Sequence, residues 1–174
     1  MNADTELLLA FSHTREDPDG LTTPDSVAGW FSGRGLWHGN APAAPEDVRR
    51  VIHLRSAIAG LLREHLGAPA DPRTRPTIEG VTQSAPIGIG VEPDGSLRLV
   101  PAGEGVDRAM AEIVAALYRV QSAGELERLK LCKACGFAFY DTSRNRSRIW
   151  CDMALCGSQE KARAYRKRLA ERPE

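Results

Sequence analysis

Four cysteines, the only ones in the chain, stand at Cys132, Cys135, Cys151 and Cys156: a C-x2-C pair and a C-x4-C pair with fifteen residues between them. Two close pairs across a short spacer is the pattern by which four thiolates meet one zinc ion, each at about 2.3 Å. With all four positions taken by protein sulfur, no place remains for a reacting water, so an ion held in this way is structural. Two disulfides, four free thiols, an iron–sulfur cluster or a redox dithiol would use the same residues. Disulfides require an oxidising compartment. The opening "MNADTELLLAFSHTRED" has no basic region and a five-residue apolar run, and reads as no secretory leader. No stretch approaches the roughly 20 apolar residues that cross a bilayer. The expectation is a cytoplasmic chain with one structural Zn2+ on the four cysteines.

The thiols share their segment with most of the positive charge. Residues 1–127 carry 11 Lys/Arg against 18 Asp/Glu, net −7, whereas residues 128–174 carry 12 against 5, net +7. A basic module on an acidic body suggests two jobs. Arg144, Asn145, Arg146 and Arg148 lie in a loop with Thr142, Ser143 and Ser147, a mixture suited to gripping phosphates. Lys161, Arg163, Arg166, Lys167 and Arg168 line a final helix with Ser158 as its expected N-cap, leaving Ala162, Tyr165 and Leu169 to pack back on the cysteine segment. These nine positions are the candidate contacts to duplex DNA. The alternative is a zinc-stabilised module whose basic face binds RNA or docks on an acidic protein surface, the chain's own body included. Phe137, Phe139 and Trp150 suit the small core of such a module better than base stacking.

The elements that must position these groups read as α+β. Glu6–Thr14 reads as a strand. A helix starts at Thr23 as N-cap with Pro24 in its first turn and closes at Gly33 and Gly35. The longest helix begins at Pro45, keeps Val48, Val51, Ile52, Ile58, Leu61, Leu62 and Leu66 on one side, and ends at Gly67. Residues 68–81, with three prolines, read as an exposed connection. Two apolar runs joined across "EPDGS" form a hairpin. A second amphipathic helix starts at Gly105 or Asp107, and residues 123–131 read as a short helix leading to the cysteines. The expected architecture is therefore an amino-terminal domain, 1–127, of helices packed on a small antiparallel sheet, followed by a treble-clef-like zinc finger, 128–174. Trp30, Phe31 and Trp37, beside flexible glycines, would suit one wall of a ligand pocket, with core packing as the plainer use. His13, His38, His53 and His65 are scattered without ligand spacing, and "GIGVEPDG" lies in a hairpin, not before a helix. The sequence offers no catalytic constellation, so a non-enzyme is expected.

The segment "CKACGFAFYDTSRNRSRIWCDMALCGSQEKARAYRKR" resembles the CGNR zinc finger. Asp141, Ser143, Arg144, Asn145, Arg146, Trp150, Cys151, Cys156 and Gly157 fall where that family's pattern expects them. The opening "LLLAFSHTRE" is similar to the start of the ABATE domain, which precedes the finger in that family. The resemblance implies a bacterial transcription regulator whose carboxy-terminal finger binds DNA and whose amino-terminal domain senses a small effector or a stress. A homodimer would strengthen a small finger's grip. One departure stands out: the family's Asn-Arg after the last cysteine is Ser158-Gln159 here. Serine can keep a capping role, but glutamine cannot replace a cation on phosphate.

Overall fold

The computed structural model describes residues 1–15 and 19–170, the side chains of 169 and 170 excepted, so the packing expected of Leu169 lies outside the described residues. The chain opens with helix α1, Ala3–His13, where a strand was expected. Its start is set by Asn2, whose side chain accepts the N–H of Thr5 at 2.8 Å, and by Asp4 and Glu6 in the first turn. Thr5, Leu8 and Phe11 then share one buried face at helical spacing. A five-residue apolar run cannot tell strand from helix, and the cap decides.

Helix α2, Pro24–Ser32, has the expected Thr23 cap, closed reciprocally by Ser26, with distances of 3.1 and 3.0 Å. Helix α3 runs Pro45–His65, with the Asp47 carboxylate accepting the N–H of Ala44 at 2.9 Å. Helix α4, Thr74–Ser84, replaces most of the expected connection. Pro76 sits in its first turn, where no N–H is needed. The α3–α4 approach is close: a Cβ on Gly60 would stand 2.4 Å from Thr74 Oγ1.

Strands β1 (Ile87–Val91) and β2 (Leu97–Pro101) form the expected antiparallel hairpin, in register from Ile87↔Pro101 to Val91↔Leu97. Its turn closes with Glu92 N–H to Ser96 O at 2.8 Å and with Gly95 at φ +83°. Helix α5 spans Gly105–Ser122. The core lies between helices: Leu8 and Phe11 of α1, Val27 and Phe31 of α2, Leu54 and Ile58 of α3, and Met110 and Ile113 of α5 are buried together. The hairpin flanks this core through β2 on α5, with Ile89, Val91 and Leu97 exposed.

Residues expected to form a short helix before the cysteines make a single 3-10 turn, Leu126–Arg128, and then strand β3, Leu129–Leu131. β3 pairs antiparallel with β4, Ala138–Tyr140. Leu129, Leu131 and Ala138 belong to the same buried cluster as Leu8 and Phe11. The buried core thus continues across residue 127. A π-helical turn, Met153–Gly157, leads into helix α6, Ser158–Ala170. The fold is α+β, and among the described residues no helix is long and apolar enough to cross a membrane.

Candidate metal centre and basic face

The β3–β4 connection is a tight knuckle. Cys132 N–H donates to Phe137 O and Gly136 N–H to Cys132 O, both at 2.8 Å, and Gly136 takes φ +76°. Glycine permits that conformation without steric cost. Cys151 and Cys156 arrive from the other side, the latter within the turn before α6. All four sulfurs lie within 4.8 Å of one another, with Cys135–Cys151 and Cys151–Cys156 each at 3.6 Å. Bonded disulfide sulfurs would be about 2.05 Å apart. Four sulfurs around one zinc ion would be about 3.8 Å apart, from the 2.3 Å bond and tetrahedral angles. At these separations no two of the sulfurs are bonded, and the disulfide reading does not fit.

The electrostatics fit a cation. Burial opposes ionisation of Cys132, but the backbone amides of Cys135, Cys151 and Ala134 facing its sulfur bring the thiol down to about 6. Burial and the neighbouring sulfurs push Cys151 well above the usual thiol range. One thiolate is prepared, and its charge discourages the next. A divalent ion relieves that repulsion and cross-links the two halves of the segment. Gly157 completes the packing, since a Cβ there would press on the Trp150 ring at 3.3 Å and on Met153 Sδ at 3.4 Å.

Under the knuckle lies a buried ion pair that the sequence reading did not single out. Lys130, in the middle strand position between two buried leucines, directs its Nζ to Asp141 Oδ2 at 2.8 Å and also to the carbonyls of Arg146 and Arg148. Asp141, fully buried, accepts the N–H groups of Ser143 at 2.8 Å and Arg148 at 2.9 Å. Burial alone would raise its pKa, but Lys130 and these donors hold the carboxyl well below the usual carboxylate range. A lysine inside an otherwise apolar triplet was the available signal. The pair fixes the arginine loop by gripping its backbone.

Within that loop the basic residues divide. Arg144, Asn145 and Arg146 are exposed. Arg146 holds φ +51°, a conformation few side chains adopt, and its guanidinium pairs with Glu127. Arg148 turns inward, donating to Cys151 O and standing 5.5 Å from the Phe139 ring centroid. On α6, Lys161, Arg163, Arg166, Lys167 and Arg168 are all exposed, and Arg163 meets Glu160 at 3.0 Å. Ala162 and Tyr165 are exposed too, so the expected packing of this face onto the finger is absent for those two residues. Ser158 does not cap α6 by accepting an N–H. Its hydroxyl donates to Met153 O at 3.3 Å, and Asp152 instead caps the preceding turn through Leu155 N–H at 2.8 Å.

The remaining expectations concern the body. Phe31 is fully buried against Phe11 and Trp30, with ring centroids at 6.2 and 5.0 Å, and Arg34 covers Trp30 at 4.0 Å. Trp37 lies against the Cα of Gly105. His13 joins body to finger: its Nε2 lies 2.8 Å from Ala138 O, and its ring meets Phe137 edge-on at 5.9 Å.

Residues 5–124, more than two thirds of the chain, match the ABATE family, described as "Putative stress-induced transcription regulator". This chain is an ABATE-family protein. Residues 128–169 match the CGNR zinc finger, which places Cys132, Cys135, Cys151 and Cys156 as the zinc ligands of that finger. No curated protein matches the chain. The ABATE domain therefore supplies the helical core, and the CGNR finger is grafted onto it through β3 and β4.

Proposed function

We propose that this ABATE protein is a transcription regulator that binds duplex DNA through its CGNR finger and responds to a small effector bound by its ABATE domain; its role is binding, not catalysis. The observation that carries the reading is the placement of cations. Arg144 and the five basic residues of α6 are exposed. A basic face folded back onto the body would be covered, and side chains 161–168 are exposed throughout. Asn145 and the hydroxyls of Thr142 and Ser147 add neutral donors beside Arg144, as phosphate-gripping surfaces do. Gln159 is exposed at the start of α6 and contributes no charge. The helix's grip rests instead on the cations from Lys161 onward, the first of them two residues away. Two copies on adjacent half-sites would compensate for the small footprint.

The experiment is a pulldown of genomic fragments by zinc-loaded full-length protein at near-physiological salt, with the retained DNA sequenced. A few enriched loci sharing a motif support a sequence-specific regulator. Retention of structured RNA in preference to duplex DNA, or of no nucleic acid, overturns the reading.

A further inference from the structure

Residues 1–127 contain no lysine, and their 11 Lys/Arg positions are all arginine, set in a net charge of −7. Most of the arginines with a carboxylate partner are locally balanced. Arg50 lies between Asp47 and Asp107, Arg98 meets Glu92, and Arg119 meets Asp4. Four others are gathered in one place, Arg55 and Arg73 with carboxylates of their own. Arg15, Arg55, Arg63 and Arg73 line a single cavity of about 220 Å3, together with Ser12 and Ser56. They share two carboxylates: Asp19 is held by Arg55 and feels Arg15, and Asp71 is held by Arg73 and feels Arg63. Among the described residues, four cations gather there around two carboxylates.

A second observation concerns Arg55, the buried member of the four. Arg55 is 6% exposed, and although its NH groups reach Asp19 and Thr14, its Nε–H is buried with no acceptor among the described residues. An arginine offers donors in a rigid fork, and a buried donor left empty is costly. The walls are also informative. Gly136 and Phe137 of the zinc knuckle close one side, so the cavity is bounded by both parts of the protein. A neighbouring cavity of about 480 Å3 shares Ser56, Asp71 and Arg73 and adds His53, Thr74 and Thr77. The walls of that second space are polar and apolar in equal measure.

We propose that the arginine-lined cavity between α1, α3, the start of α4 and the zinc knuckle binds a dianionic phosphate group, either free phosphate or the phosphate of a small polar metabolite whose remainder occupies the adjoining cavity. Converging guanidinium groups suit a phosphate monoester, which carries about −1.5 to −2 near neutral pH. Arginine forks match its oxygens in geometry as well as in charge. Because the knuckle forms one wall, an occupied cavity would bias the seating of the finger. That regulatory consequence rests on the finger's proposed role in DNA binding, whereas the site itself does not.

The test is calorimetric titration of zinc-loaded full-length protein with inorganic phosphate, glucose 6-phosphate and succinate, in chloride at about 0.15 M ionic strength. Saturable one-to-one binding of phosphate is expected. Tighter binding of glucose 6-phosphate assigns a metabolite, and equal or weaker binding assigns free phosphate. Arg15 and Arg63 are exposed, so the double variant Arg15→Gln, Arg63→Gln should keep its fold and weaken binding by about tenfold or more. Arg55→Lys, which keeps the charge and removes the fork, should also weaken it if the variant folds. No saturable binding, binding unchanged in the double variant, or equal binding of succinate overturns the proposal. DNA is not in the assay, so failure here leaves the finger's proposed role standing, and a finger that ignores DNA leaves this site standing.

Discussion

The two halves of the CGNR finger live in different environments. From Leu129 to Asp141 the chain is strand, knuckle and strand, with Leu129, Leu131, Cys132, Ala138 and Phe139 buried and three of these continuous with the ABATE core. From Arg144 onward it is loop, turn and helix, with Leu155, Tyr165 and every described α6 side chain after Glu160 exposed. Each half gives two of the four thiolates. The metal is therefore a clasp between an anchored half and a projecting half, and a motif of some 40 residues need not behave as one folding unit.

The sharpest way to break this comparison is to remove the clasp. Zinc binding to such sites is worth about 10–16 kcal/mol in apparent terms, so its loss is the largest change on offer. With Cys156→Ser, or on chelation, hydrogen exchange should accelerate across residues 149–168, while β3 and β4 keep their protection. Exchange that rises equally in both halves would show that the finger unfolds whole.

Next in size is the pair inside the anchored half. Lys130→Met leaves Asp141 buried without its cation, and breaking such pairs costs about 3–5 kcal/mol. The backbone donors of Ser143 and Arg148 remain, which favours the lower end of that range. Urea denaturation of the zinc-loaded protein should report the loss in the single cooperative transition of the whole body. A transition left unmoved would mean that the pair serves the arginine loop alone.

A smaller effect separates body from finger by pH. The Arg55 guanidinium holds the Asp19 carboxyl below its ordinary value. A depressed carboxylate stabilises the fold above its unfolded pKa of about 3.9, and that contribution fades as pH falls through the lower folded value. Asp19→Asn should therefore cost stability at pH 7 and flatten the decline between about pH 5 and pH 3 relative to the parent. Metal loss in acid affects both proteins alike, so the difference isolates the body. Parallel acid limbs would remove Asp19 from the account.

What the sequence made legible divides along the same line. The ligands, the hairpin turn at "EPDGS" and the Thr23 cap are local patterns, each decided within a few residues, and each is found in place. The strand expected at Glu6–Thr14 was misread because five apolar residues have no usable period and the deciding cap, Asn2, lies outside them. Helix α4 was hidden by three prolines, two that precede it and one, Pro76, that its first turn tolerates. The Lys130–Asp141 pair, the arginine cavity and the fusion of β3 and β4 into the core depend on residues brought together from distant positions. No spacing rule reports those.

The smallest expected effect on stability tests the projecting half. Arg166 and Arg168 are exposed on a helix that leaves the body, so changing both to alanine should alter unfolding by no more than about 0.5 kcal/mol. Their effect should appear instead in salt dependence. If about six cations of the loop and helix contact phosphates, the log–log slope of DNA affinity against salt is roughly −5, and losing two contacts should reduce its steepness by about 2. Arg148→Ala supplies the contrast within the same basic segment. Its guanidinium is committed to Cys151 O and the Phe139 ring, so its loss should lower stability while leaving the slope nearly unchanged. If instead Arg148→Ala flattens the slope and the α6 variant does not, the cations that matter lie in the arginine loop, and the helix is a solvated face.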